Sequence, residues 1–339
     1  MGARDLKDIT VSHQVTLEEL RGRVAVDAYN AVYQFLSTIR GPDGAPLADS
    51  HGRTTSHLSG LFYRSCSLLE KGVQPIYVFD GKPSELKART IAERVEKKME
   101  AEELMKKALE EGRIEEAARL AQRTSHLTKD MVAECKTLLG LMGLPFVQAP
   151  SEGESQCAAM AAQGCVGAAA SQDFDALLFG APVLIRNLTL SGKRKLPRSS
   201  ATVEVYPEKY FLKENLDALG LTRQQLVWVS LLCGTDFNEG VKGIGPKKGL
   251  KLVRETETLE GVCEKTGQDY ASFKEVETLF LNPRISRVGA LEFGEPDRDG
   301  VIAFMAGERD FSEERVSNAL ARAFNQPLDA SQGTLKRWF

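Results

Sequence analysis

The amino-acid sequence predicts an α/β fold, a mostly parallel central sheet flanked by helices. Two patterns carry that prediction. Short apolar runs each end in an acid: Val24, Ala25 and Val26 lead into Asp27, Ile76 to Phe79 into Asp80, and VGAAASQDFD into Asp173 and Asp175. Runs of this length between helical stretches read as buried strands of a parallel sheet. Helical patterns alternate with them at 28–40, 56–71, 129–142, 152–162 and 222–233, and such alternation argues parallel α/β layering. With 339 residues, 42% hydrophobic and 27% charged, the chain has ample material for a core. Disorder as the main state is ruled out.

Taken in order, the opening MGARDLKDIT carries Asp5 and Asp8 and no apolar stretch, so it does not read as a signal peptide. Leu6 stands where a myristoylation signal needs Ser or Thr. After the strand that ends at Asp80, residues 84–129 are almost unbroken Glu, Lys, Arg, Ala and Leu, with no proline and one glycine, Gly112. They predict a helical insertion, a hairpin of two helices turning at Glu111-Gly112. Its 85–116 portion is too polar for a core helix and reads equally as a solvated face. A glycine- and lysine-rich turn starts at Gly240, followed by a helical region and a polar linker at 325–331. The closing QGTLKRWF carries aromatic bulk where a frayed tail would be polar.

Charge and cysteine usage mainly exclude. The balance of 44 basic and 47 acidic residues, net −3, gives no hint of a nucleic-acid partner. The longest uncharged run, 155–172, is Ala-, Gly-, Ser- and Gln-rich and makes a poor membrane span, so no membrane association is expected. Six cysteines (Cys66, Cys135, Cys157, Cys165, Cys233, Cys263) are scattered with no CxxC, and His13, His51, His57 and His126 are equally dispersed. Neither a zinc site nor a disulfide framework follows. A reduced, intracellular protein is expected.

The chemistry lies in the acids at strand ends. Ligands of an open parallel sheet bind outside the carboxyl ends of its strands, where Asp27, Asp80, Asp173 and Asp175 fall. Asp236 follows the helical VWVSLLCGT on a turn, and Glu152 and Glu154 open the helix in APSEGESQCAAMAA. Seven carboxylates gathered at one edge would repel strongly unless cations sit among them. Oxygen-only ligation selects a hard cation, with Mg²⁺ the expected one. Two such ions about 4 Å apart clamp the attacking and leaving oxygens of a phosphodiester displacement. Without these seven acids the rest of the chain is net basic by four. Each acid has a blander reading. Ser151 and Glu154 have capping-box spacing, Asp27 could cap the next helix, and Asp173 and Asp175 could be loop acids. An aspartyl-nucleophile phosphatase would want a second acid two residues on, where Tyr29 and Lys82 stand instead.

On these motifs (VAVDAYNAVYQFL, TTSHLSGLFYR, YVFDGKP, APSEGESQCA, SQDFDALLFG, GTDFNEGVKGIGPKK and QGTLKRWF) the chain resembles, over essentially its whole length, the flap endonucleases of the structure-specific 5′-nuclease (XPG-like) family, archaeal replication type. The resemblance implies a PIN-like 5′-nuclease fold with a helical arch insertion and a helix-hairpin-helix-type DNA-binding element. It implies two Mg²⁺ per subunit, with Asp27, Asp80, Glu152 and Glu154 in one part of the metal site and Asp173, Asp175 and Asp236 completing it. It implies that Lys87 and Arg94 reach the scissile phosphate; seven apart, they would point the same way on one helix. Gly2 is expected near the site. Regions implied are an N-terminal nuclease region at 1–98, an arch segment at 99–115, an internal nuclease region at 116–258 containing the DNA-binding element, a C-terminal helical region at 259–324, and a linker with tail at 325–339.

The substrate implied is branched DNA with a 5′ flap, cut endonucleolytically, with some 5′→3′ exonuclease activity, in Okazaki fragment maturation and base excision repair. The segment GVKGIGPKKGLKLVR has five bases and no acid. A glycine-rich turn entering a helix lets backbone amides approach a phosphate. By resemblance Gly243, Gly245, Lys247 and Lys248 grip duplex DNA, with K⁺ as an additional ion. Some relatives carry serine where Gly240 falls. Tyr33 matches a base-stacking position, with a buried core tyrosine as the equal alternative. A second acid-free basic stretch, 181–203, reads as a DNA-facing loop. Between Lys82 and Asp130, 12 bases face 11 acids, so only a basic inner face of the arch could steer a flap. Gln332, Leu335, Trp338 and Phe339 resemble a motif that binds the sliding clamp (PCNA). No basic import tail follows, which points to a cytoplasmic protein of a cell without a nucleus. A monomer is expected. Two rivals stay open: an acid-cluster ribonuclease, which would not need the basic hairpin or tail, and a non-catalytic clamp-bound DNA adaptor, which would not need seven carboxylates.

Overall fold

The computed structural model describes residues 4–41, 44–124, 126–195 and 202–324. Its strands are β1 (His13–Gln14), β2 (Gly22–Asp27), β3 (Val73–Phe79), β4 (Phe146–Gln148), β5 (Ala168–Ala170), β6 (Val183–Arg186), β7 (Gly192–Lys195), β8 (Thr202–Val205) and β9 (Glu208–Phe211). Among the described residues one seven-stranded sheet runs in the order β1-β9-β6-β5-β2-β3-β4, and β7 pairs with β8 in a separate antiparallel ribbon. The centre is parallel: Val24, Ala25 and Val26 lie opposite Ala168, Ala169 and Ala170, and Ala170 lies opposite Ile185. On one side β9 and then β1 add antiparallel strands. Because β2 and β5 run the same way, Asp27 and the segment after Ala170 leave the sheet at the same edge.

The strands predicted before Asp27, Asp80 and Asp173 are β2, β3 and β5. The five predicted helices are Ala28–Thr38, Ser56–Glu70, Lys129–Leu141, Gly153–Ala162 and Arg223–Cys233, each end within two residues of its pattern. Their starts have local causes. Thr128 Oγ1 accepts from the Met131 amide at 3.2 Å, and Thr222 with Gln225 closes a reciprocal capping box. The insertion is also the expected hairpin, Ala88–Glu110 and Ile114–Arg123, turning where Gly112 takes φ +70°. Its inner seam is small: Ala101, Ala108, Ala117 and Leu120 are buried with Met105 against them. Ile91, Val95, Met99 and Leu104 are exposed, so the solvated-face reading holds for most of the longer helix.

The 181–203 stretch is corrected. Where it is described it is no loop: it forms β6, a 3-10 turn at Leu188–Leu190, and β7 entering the ribbon, while 196–201 lie outside the described residues. Arg186 does not face outward. Its guanidinium lies over the Phe174 ring at 4.6 Å and donates through Nε to the Gln172 carbonyl at 2.9 Å.

The described residues fall into two compact units, one within 1–27, 78–90 and 148–288, the other within 28–77, 91–147 and 289–339. In the first, the helix Gly153–Ala162 packs on β2 and β5, which the all-alanine face of β5 permits, since small side chains let a helix backbone come close. In the second, the helix Ser56–Glu70 packs against Ala28–Thr38 and Glu313–Phe324. Gly60 is the contact point with the former: a Cβ there would lie 2.2 Å from Phe35 Cγ. No helix among the described residues is long and apolar enough to cross a membrane.

Candidate active site

All seven acids belong to the first unit. Asp27 ends β2, Asp80 follows β3, Glu152 is the residue before the helix Gly153–Ala162 and Glu154 lies in its first turn. Asp173 and Asp175 follow β5, and Asp236 lies on the turn after Arg223–Cys233. Asp27, Glu152, Asp175 and Asp236 are each at most 8% exposed. Carboxylates are rarely buried so far without partners or cations.

The helix entry organises them. Gly153 stands between Glu152 and Glu154, and its amide donates to Asp80 Oδ1 at 2.6 Å. A Cβ on Gly153 would lie 2.6 Å from that oxygen, 3.1 Å from the Val78 carbonyl and 3.8 Å from Asp27 Oδ1. Only glycine allows the helix to start this close to two strand ends. The capping box is corrected here. Glu152 precedes the helix without a side-chain cap, and Glu154 instead accepts from the Ser171 hydroxyl, turning it toward β5. Ser171 Oγ also accepts from the Asp173 amide at 3.2 Å.

Two neighbourhoods result. In one, Lys87 Nζ donates to Glu152 Oε2, lies 3.6 Å from Asp236 Oδ2 and sits 5.7 Å from the Phe237 ring centre. Burial works to lower the Lys87 ammonium, yet Glu152, then Asp236 and Asp80, outweigh it and hold the group charged well above its usual range. Burial and the Glu152 charge push the Asp80 carboxyl up to about 6, against the pull of Lys87 and the Gly153 amide. In the other neighbourhood, burial pushes Glu154 well above the carboxylate range, and Asp175, Asp27 and Asp173 add to it. Burial and the charges of Asp27, Glu154 and Asp80 likewise push the Cys157 thiol up, one turn along the same helix. Cation demand is therefore built in: in both neighbourhoods the acids raise one another, Glu152 acting on Asp80 and Asp175, Asp27 and Asp173 on Glu154. Among the described residues no three acidic, histidine or cysteine side chains already form a complete ligand set. The oxygen-only donors and their mutual repulsion fit hard divalent cations.

The remaining predicted residues are distributed between the units. Lys87 closes the single 3-10 turn Glu85–Lys87, so it and Arg94 do not share one continuous α-helix; Arg94 is exposed on Ala88–Glu110, in the second unit. Tyr33, also in the second unit, is 44% exposed, which removes the core-tyrosine alternative. In the first unit, Gly245 caps the helix Pro246–Thr256, with Pro246 at its first position and Lys247 and Lys248 exposed in its first turn. Lys248 Nζ donates to the Gly243 carbonyl at 3.0 Å, and nothing lies within 4 Å of where a Cβ would stand on Gly243 or Gly245. The backbone is open there. Gly240 has φ +75°, and a Cβ would lie 2.4 Å from the Gly234 nitrogen, so this turn has no room for a serine. Gly2, Gln332, Leu335, Trp338 and Phe339 lie outside the described residues. Sequence reasoning missed Gly153 and Ser171. The glycine wedged between two acids was a signal for the first; the second had none.

A sheet edge lined with buried carboxylates, in the same unit as a glycine-rich turn that opens a basic helix, defines a nuclease of the structure-specific class. The XPG N-terminal domain matches residues 1–101 and the XPG I-region residues 143–236. The chain is 50% identical over 335 residues to flap endonuclease 1 of Pyrococcus furiosus, 98% of each chain, and 50% identical over 329 residues to that of Thermococcus onnurineus, 96% of each. In structure it is similar to flap endonuclease-1 from Methanococcus jannaschii (TM-score 0.74, 40% identity, 94% of this chain and 97% of that one). It is similar also to the catalytic core of Rad2 in complex with DNA substrate (TM-score 0.68, 26% identity, 96% and 100%). The chain belongs to the flap endonuclease family.

Proposed function

We propose that this enzyme binds branched DNA and hydrolyses it at the base of 5′ flaps, with some 5′→3′ exonuclease activity, on two Mg²⁺ ions held by Asp27, Asp80, Glu152, Glu154, Asp173, Asp175 and Asp236. The observation that carries the reading is the Gly153 helix entry, which turns Glu152 and Glu154 into two adjoining acid neighbourhoods. When bound, the ions supply Lewis acidity to the attacking water and to the leaving 3′ oxygen. Lys87, held charged by Glu152 and Asp236, offers positive charge to the phosphate as its own charge develops. Arg94 adds a second donor. Tyr33, with its ring exposed, stacks on a base. Gly243 and Gly245 admit a phosphate to the backbone while Lys247 and Lys248 neutralise the strand, contacts that position DNA without reading sequence; K⁺ is the accompanying ion. The C-terminal motif docks on the sliding clamp, and the activity serves Okazaki fragment maturation and base excision repair.

The test is incubation of the protein with an end-labelled 5′-flap duplex and Mg²⁺, beside an RNA hairpin and a chelated control. Cleavage of the flap duplex alone, only with Mg²⁺, is expected. Cleavage of the RNA hairpin in preference, or binding without cleavage, would replace this reading with one of its rivals.

A further inference from the structure

We infer that Phe280 is a positioning residue for the carboxylate site, fixing the Asp175 helix and the Asp236 turn to one another through a pile of three rings. This rests on the reading of those carboxylates as metal ligands. Phe280 lies on the helix Tyr270–Leu281, more than forty residues beyond the last of the acids, and is fully buried. Its ring meets Phe179 at 4.8 Å between centres, tilted by 43°, and Phe237 at 5.4 Å, edge-on at 85°. Both distances fall in the favourable range for aromatic pairs. Phe179 is the residue that closes the helix Asp175–Leu178, and Phe237 directly follows Asp236.

Both clients need an external support. A helix of four residues is a single turn and has no stability of its own. The Asp236 turn is shaped locally by Thr235 Oγ1 to Asn238 Oδ1 at 2.8 Å, the Phe237 amide to Thr235 Oγ1 at 3.0 Å and the Thr235 amide to the Asn238 carbonyl at 2.9 Å, while Asn238 Nδ2 donates to the Leu231 carbonyl at 2.7 Å. Those bonds join the turn to the helix before it, and Lys87 links Asp236 to Glu152. The rings add the tie to the helix that carries Asp175, and Phe237 also lies beneath Lys87. The helix carrying Phe280 is itself anchored: buried Glu277 accepts from Trp228 Nε1 at 2.6 Å and Gln224 Nε2 at 2.8 Å. Ligand sets keep their metal affinity only while such supporting contacts hold them within a fraction of an ångström.

The experiment compares Phe280→Leu with Phe273→Leu, a substitution of another buried ring on the same helix. Mg²⁺ binding to the DNA-free protein is followed by calorimetry, with single-turnover flap cleavage and flap affinity in Ca²⁺ alongside. Phe280→Leu should weaken Mg²⁺ binding and slow cleavage by about tenfold each, with flap affinity unchanged, whereas Phe273→Leu should lower the melting temperature without either effect. Phe237→Leu should repeat the loss and Phe237→Tyr, which keeps the ring, should restore it, so the inference stays testable if Phe280→Leu fails to fold. Wild-type Mg²⁺ affinity in folded Phe280→Leu or Phe237→Leu, or equal weakening in Phe273→Leu, would overturn it. Failure of the wild-type protein to bind Mg²⁺ would instead overturn the reading on which it rests.

Discussion

The roles proposed for Asp80 and Lys87 set folding against chemistry. A carboxyl raised to about 6 holds its proton more tightly folded than unfolded. Its contribution to stability is complete below the ordinary aspartate range and is lost as pH rises to about 6; above that the ionised group strains the metal-free fold. Asp80→Asn keeps an oxygen to accept from the Gly153 amide and removes the charge. In a chelator at pH 7.5 it should therefore melt a few degrees above the wild type, with the gain shrinking toward pH 4. Excess Mg²⁺ should reverse the order, since the wild type, with its full ligand set, gains more from the ion. Thermal melts across that pH range check both signs. Lys87 is the counterpart. Lys87→Ala should slow single-turnover cleavage by ~10²-fold or more, the scale of one lost transition-state donor, with flap affinity much less changed. A fall in affinity at an unchanged bound-state rate would make Lys87 an ordinary phosphate clamp.

At the scale of elements, what was legible in the sequence tracks what is buried. β2, β3 and β5 announce themselves because strands covered on both faces are continuously apolar. β7 and β9 were hidden because they are rich in charge (Gly-Lys-Arg-Lys and Glu-Lys-Tyr-Phe); β6, though buried, was hidden because its apolar part is only Val183 to Ile185 inside a basic stretch. Lys87 was misplaced for a similar reason: pattern alone does not separate a 3-10 turn from the α-helix it feeds. The Gly240 turn is the element where sequence and structure inform each other most. A serine at this position would bring an added oxygen ligand, but φ +75° and backbone atoms at 2.4–2.8 Å leave a side chain nowhere to go. Gly240→Ser should thus not strengthen K⁺-dependent duplex binding; it should weaken it and lower the melting temperature, by ~1–2 kcal/mol of strain at a left-handed position. Duplex affinity titrated in K⁺ against Na⁺ measures the first, and a melt the second.

On the scale of the whole molecule the question is whether recruitment and chemistry are separable. The carboxylates, the Lys87 turn and the open Gly243–Gly245 backbone all belong to one unit built from 1–27, 78–90 and 148–288. Gln332, Leu335, Trp338 and Phe339 come more than forty residues after that unit's last segment, behind the polar 325–331 stretch. Their spacing would let a single helical turn present Leu335, Trp338 and Phe339 as one apolar plug, with Gln332 fixing its register. Aromatic anchors entering a desolvated pocket lose about 2 kcal/mol or more each on truncation, so losing both should weaken clamp binding on the order of 10³-fold. The Trp338→Ala, Phe339→Ala double variant should consequently cleave free flaps at the wild-type rate yet show no stimulation by its sliding clamp. Calorimetry with the clamp and a flap assay with and without it measure the two halves independently. Unchanged clamp binding would dismiss the motif, and a collapse of cleavage without the clamp would mean that the two aromatics serve the fold instead.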